Sequence, residues 1–231
     1  MVREPTMSSL IDHFEKIALV ALEKQDGLFS LLGEYLLDLD IDKGIARFSD
    51  AAAFPYQMLG TESENSLTWL WAWADEQPEV PEELLRSVRE LKAWGAKEGV
   101  SDFAVPSLDL NRADGTMISM IASMICAASG YYRDPYDGGS LFILLYGADS
   151  GRPVVYDRAG LIGALSELRS RYDFDHRKAL CSYFRMKDLP FTESGDTVNA
   201  ELAGGERLIA LFDHAGQLTA LNGEPLPWQA E

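Results

Sequence analysis

The stretch Leu59-Gly60-Thr61-Glu62-Ser63-Glu64-Asn65-Ser66-Leu67-Thr68-Trp69-Leu70-Trp71-Ala72-Trp73-Ala74 decides the fold. In its second half tryptophans alternate with small or aliphatic residues, and in an extended strand successive side chains point to opposite faces. The alternation predicts a β-strand with Trp69, Trp71 and Trp73 on one face and Thr68, Leu70 and Ala72 on the other. Each indole can bury roughly 150–250 Å², more in total than a lone hairpin can hide. Two covers fit: a protein core beneath helices, or an aromatic-walled groove for a ligand or partner peptide, in which the indole N–H groups find acceptors.

Upstream, Ala53 to Leu59 reads as a strand with Pro55 at its start or on an edge, joined to the tryptophan strand by a polar, acidic loop from Gly60 to Ser66. Ile45 to Phe48 reads as a strand before it. Three strands in quick succession predict an antiparallel meander. The preceding segment Asp38-Leu39-Asp40-Ile41-Asp42-Lys43-Gly44 resembles a calcium loop only at first sight. Lys43 stands where that loop needs glycine and Ser49 where it needs its bidentate glutamate, so a helix end and a turn at Lys43-Gly44 are expected, with no metal site. Earlier still, Ile11, Phe14, Ile17, Ala18, Ala21 and Leu22, then Leu28, Leu31, Leu32, Tyr35, Leu36 and Leu39, recur at helical spacing. Ser8 or Ser9 caps this run. Gln25-Asp26-Gly27 makes it one long helix with a weak point or two helices in succession.

Downstream, Asp75 to Val80 is a breaker segment. Pro81 suits the first position of a helix whose start is acidic at Glu82 and Glu83. Leu84, Val88, Leu91 and Gly95 line one face of it, and Gly99 stops it. Val100 to Arg112 reads as irregular. Asp114 caps a third helix, Gly115 to Ser129, apolar around most of its circumference and therefore buried. Gly130 ends it, Tyr131-Tyr132-Arg133 begins a second hairpin, and Asp134 to Gly139 is turn chemistry. Leu141 to Tyr146 is a continuous apolar run, expected as a central strand covered on both faces. Composition shifts at Asp149-Ser150-Gly151-Arg152-Pro153. Beyond it, Asp157 and Asp175 cap two helices, Thr192 to Gly205 reads as a polar loop, and Leu208 to Phe212 and Gln217 to Leu221 form a hairpin. The expected fold is α+β: residues 1–149 form an antiparallel sheet of about five strands flanked by helices, and residues 150–231 a smaller α+β extension.

The chain of 231 residues carries 20 Lys and Arg against 37 Asp and Glu, a net charge of −17. That balance disfavours nucleic acid, which needs a basic surface, and an anionic membrane surface. It is compatible with simple solubility, the commoner case, or with a basic partner protein. The amino terminus lacks the apolar core of a signal peptide, no apolar run of roughly 18 residues is present to span a bilayer, and two cysteines, Cys126 and Cys181, make no disulfide framework. A reducing cytoplasm is expected.

Leu59-Gly60-Thr61 followed by Thr68-Trp69-Leu70-Trp71-Ala72-Trp73-Ala74 resembles the signature of an uncharacterised bacterial family, a domain of unknown function. The resemblance implies a helix leading into a short strand like Ile45-Ala46-Arg47-Phe48. It continues through Val88-Arg89 and Gly95 to Gly130-Tyr131-Tyr132-Arg133 and Gly138-Gly139, covering roughly Ser8 to Gly147. That family usually has Asn after the tryptophan run, where Asp75 stands here. It brings no established activity, and residues beyond Asp149 resemble nothing familiar.

Catalytic patterns are weak. The histidines are His13, His176 and His214, and no serine sits in a Gly-x-Ser-x-Gly elbow. Cys181 with His176, five residues apart, and Asp173-Phe174-Asp175-His176 as metal ligands both have a plainer reading as helix and helix cap. Gly204-Gly205 and Gly138-Gly139 lack the Lys and Ser/Thr of a phosphate loop. No cofactor and no metal are expected. Two functions remain. The first is a non-enzymatic interaction module, immunity-protein-like, that binds a basic partner. The second is a small-molecule binder or enzyme with a pocket between sheet and helices lined by Trp69, Trp71, Trp73, Tyr131, Tyr132 and Arg133. In that pocket Arg133 would clamp a carboxylate or phosphate, or instead form a surface ion pair.

Overall fold

The computed structural model describes residues 9–32, 37–49, 52–74, 80–148, 155–226 and 228. The expected breaker beginning at Asp75 and the compositional boundary at Asp149 to Pro153 fall almost entirely outside them. By internal packing the chain divides into two units, Met1–His13 with Lys24–Arg152, and Phe14–Glu23 with Pro153–Glu231. The fold is α+β, with five α-helices among the described residues.

Helix α1, Leu10–Leu32, runs unbroken through Gln25-Asp26-Gly27. Ser9 opens it: its N–H donates to Asp12 Oδ2 at 3.0 Å while its Oγ accepts from the Asp12 N–H at 3.4 Å, two otherwise orphaned groups satisfied at once. The helical stripe expected to reach Leu39 does not. Leu37–Asp40 is strand β1, paired antiparallel with β2, Ile45–Phe48. Leucine spacing alone cannot separate a helix from a short strand, and here pairing with β2 decides.

Strand β3, Ala52–Ser63, is longer than expected, since Gly60 to Ser63 extends the strand and only Glu64 to Leu67 turns. It pairs with β2 over its first residues, with β4 (Thr68–Trp71) over its last, and with β7 (Gly139–Leu145) along Tyr56 to Ser63. The register slips between Met58 and Gly60, so Leu59 is the extra residue of a β-bulge. Strand β5, Ser107–Asp109, edges β4 within the stretch read as irregular. Strand β6, Gly130–Tyr136, pairs with β7 through the turn at Asp137-Gly138, so Asp134 and Pro135 belong to the strand. The sheet thus has seven antiparallel strands in the order β1-β2-β3-β4-β5, with β7 beside β3 and β6 beside β7. Strand β7 is central, and Phe142 to Leu145 are wholly buried.

A 3-10 turn at Glu82–Leu85 leads into α2, Arg86–Glu98, which packs on β3 and ends at Gly99 in the left-handed conformation, φ +74°. Helix α3, Gly115–Ile125, is capped by Asp114, whose carboxylate accepts the Met117 N–H at 2.8 Å, and lies on β6 and β7. It ends before the expected Ser129.

Gly60 shows why this strand pair takes the sequence it does. A Cβ there would lie 2.4 Å from the Leu70 carbonyl oxygen and 2.5 Å from the Trp69 ring. Only glycine lets β4 approach β3 while the indole folds across the strand.

The second unit holds α4, Arg158–Arg171, and α5, His176–Met186, capped by Asp157 and Asp175. The Thr192–Gly205 stretch is not a loop. It supplies most of the hairpin of β8, Phe191–Ser194, and β9, Thr197–Glu201, whose turn residues suit strand reversal as well as a loop. Strands β10, Arg207–Phe212, and β11, Leu218–Leu221, complete a four-stranded sheet, with the two-residue β12, Glu224–Pro225, at its edge. Strict alternation buries Leu208, Ala210 and Phe212 of β10 on one face.

Candidate functional site

Trp69 and Trp71 share the buried face of β4, each 0 % exposed. Their rings meet edge to face at 5.3 Å; Trp69 also meets Phe142 at 5.3 Å, and Trp71 meets Phe103 at 5.5 Å. The Trp71 Nε1–H donates to the Asp102 carbonyl at 3.2 Å, whereas the Trp69 Nε1–H finds no acceptor. Both rings therefore serve as core. Trp73 lies beyond the end of β4, in a turn, half-buried, with the Lys92 ammonium of α2 over its ring at 3.4 Å.

The other three residues singled out in the sequence lie together on β6. Tyr131 is buried and bound through its backbone to the Gln25 amide, which it reaches at 2.8 and 3.1 Å. Tyr132 packs edge-on against Phe48 at 5.3 Å. Arg133 pairs with Glu62 of β3, Nη2 to Oε1 at 2.8 Å and Nε to the same oxygen at 3.0 Å. The other Glu62 oxygen accepts the Gly115 N–H at 3.3 Å, at the positive end of α3. Arg133 thus takes the ion-pair role.

The groups with latent chemistry are engaged elsewhere. His176 is buried against Phe174, and its Nδ1 accepts the Leu218 N–H at 3.2 Å. Burial, with the Arg169 charge, holds its pKa below the ordinary value. Burial pushes the Cys181 thiol up to about 11 and the Cys126 thiol up to about 12, away from the thiolate that a nucleophile needs. In the turn after β1, Asp40 holds Lys43 at 2.8 Å. Among the described residues no three His, Cys, Asp or Glu side chains converge to hold a metal ion.

The first unit has a cleft that the sequence did not single out, with a volume of about 630 Å³. The Ile41–Gly44 turn, β3 at Pro55 to Gln57, the start of α2, Cys126 and Tyr146 form its walls. Gln57 fastens one side: its Nε2 donates to the Glu83 carbonyl at 2.8 Å and its Oε1 accepts the Ser87 N–H at 3.2 Å. Ser87 and Tyr146 share a hydroxyl hydrogen bond of 2.6 Å. Only part of this site left a signal in the sequence. Glu83, Arg86, Ser87 and Glu90 fall at helical spacing, a polar stripe beside the apolar one that packs on the sheet.

No curated protein and no solved structure matches the chain. A family profile does, over residues 11–148, most of the first unit and of the span that the tryptophan signature pointed to. The chain accordingly belongs to the family of unknown function DUF6882.

Proposed function

We propose that the protein is a non-catalytic interaction module of the bacterial cytoplasm, immunity-protein-like, whose first unit binds a basic partner protein. The observation that carries this reading is the distribution of charge. The first unit holds 23 of the acids and 11 of the bases, a net charge of 11 − 23 = −12 out of −17 for the chain. A field of one sign steers a partner of the other and raises its association rate. The two cysteines are free thiols, which suits a reducing compartment.

The test is affinity capture from the native host at low salt, followed by reconstitution of the captured protein with the purified chain. The expected partner is basic, and its affinity falls steeply between roughly 0.1 M and 1 M salt, as the Debye length shrinks from about 10 Å to 3 Å. Capture of nothing at low salt, or of a partner indifferent to salt, overturns the reading.

A further inference from the structure

Arg86 is the starting observation. Among the described basic side chains of the first unit, every other one has an ion pair, a hydrogen bond or an aromatic contact: Arg89 holds Glu82 at 2.6 Å, Arg112 holds Asp102, and Lys92 lies on Trp73. Arg86 has none, although its unit is rich in carboxylates. The 3-10 turn before α2 carries Glu83 three residues ahead of it, and α2 itself places Glu90 four residues after it, a spacing at which ion pairs form on a helix surface. Neither pairs with it, and neither forms an ion pair with any other described residue. Unpaired charges of both signs therefore stand along one stripe.

That stripe faces the cleft. Arg86, Glu83 and Glu90 line it beside Ser87 and Tyr146, whose 2.6 Å hydroxyl pair leaves acceptor capacity on both oxygens and one proton free to donate. Burial raises the Tyr146 pKa, so the phenol stays protonated and neutral at physiological pH. An anion alone would meet Glu83 and Glu90, and a cation alone would meet Arg86. A ligand bearing both charges satisfies all of them. A guanidinium takes a carboxylate through two parallel N–H donors, a carboxylate takes an ammonium, and the hydroxyl pair takes whichever polar atom remains.

We propose that this cleft is a binding site for a small aminocarboxylate, a free amino acid, with its carboxylate on Arg86 and its ammonium between Glu90 and Glu83. The site is independent of the basic-partner reading, and nothing in the charge of the whole unit demands it.

The test is isothermal titration of the full chain with the L-amino acids, each compared with its N-acetyl form, which lacks the ammonium, and its amide, which lacks the carboxylate. At least one free amino acid binds, and both blocked forms bind at least about tenfold more weakly. The same amino acid raises the melting temperature by several degrees when well above its Kd. In Arg86→Gln the free acid weakens to the level of the amide. In the double variant Glu83→Gln with Glu90→Gln it weakens to the level of the N-acetyl form. All three positions are exposed, so the variants fold, and their unliganded melting temperatures verify it. Lys97→Gln, about three turns further along α2 and outside the cleft, leaves affinity unchanged. The proposal is overturned if no amino acid binds, if blocked and free forms bind equally, or if Lys97→Gln weakens binding as much as Arg86→Gln does.

Discussion

The Arg133 guanidinium sits 2.8 Å from the Glu62 carboxylate, joining β6 to β3, and the second Glu62 oxygen takes the first N–H of α3. Glu62 is the buried partner, its side chain 10 % exposed, while that of Arg133 is 47 % exposed. Loss of the arginine leaves a buried carboxylate with one backbone donor, which is worse than loss of an ordinary surface pair. Arg133→Ala is expected to lower stability by about 1–3 kcal/mol. The check is the urea midpoint at constant m-value. A change within a few tenths of a kcal/mol would make this an ordinary surface pair.

Gly60→Ala places a Cβ against the Leu70 carbonyl and the Trp69 ring. Backbone on one side and a packed indole on the other leave it no soft direction in which to move. A loss of about 2 kcal/mol or more is expected by thermal unfolding. Gly163→Ala in α4 is the contrast. Its Cβ meets nothing within 4 Å, so gain of a helix former should stabilise by about 0.5–1 kcal/mol.

Trp69 and Trp71 are equally buried, but only Trp71 has a partner for its N–H. Each change to Phe removes similar ring volume. Trp71→Phe also strips the Asp102 carbonyl of its donor, whereas Trp69→Phe removes a donor that already lacks an acceptor. Trp71→Phe is therefore expected to be the more destabilising by about 1 kcal/mol, read from paired denaturant curves.

His176 gives the second unit a pH dependence of definite sign. Its folded pKa lies below the ordinary 6.5, chiefly through burial and then through Arg169, with Asp175, Asp173 and Asp213 pulling the other way. Between the folded and unfolded values the unfolded chain binds the extra proton, so stability is lost as pH falls from 6.5 towards the folded value and is unaffected above that window. His176→Gln removes this dependence. The stability gap between wild type and variant should shrink as pH falls from 7.5 to about 5.5, followed by urea unfolding at each pH. A constant gap would count against a neutral buried imidazole.

The tryptophan strand was legible because alternation with period two is a local signal, and it placed Trp69 and Trp71 on the inner face; Trp73, expected beside them, falls past the strand end in a turn, where pairing with β3 has stopped. Local signals also marked Asp114, Asp157 and Asp175, whose carboxylates cap the helices they precede. What escaped was decided by pairing. Leu37 to Asp40 follows a long leucine stripe and joins β2 as a strand, and Gly60 to Ser63 is polar yet lies between β4 and β7. Pairing between strands, near or far in sequence, leaves no periodic mark of its own. The candidate site divides along the same line. Aromatic residues drew attention to β4, where they build the core, while the cleft depends on Gln57, Ser87 and Tyr146, three unremarkable polar residues that only the fold brings together.

The carboxylate of Glu23 in α1 accepts the Tyr183 hydroxyl, the Lys187 ammonium and, at 3.2 Å, the Tyr156 N–H. Residues 14–23 and 153–231 compose a single unit, though well over a hundred positions separate them on the ribosome. A nascent chain must therefore release its last helices before this carboxylate can meet its lysine, so the second unit folds late and slowly. A fragment beginning at Pro153 would inherit a stranded ammonium and phenol in place of a finished core.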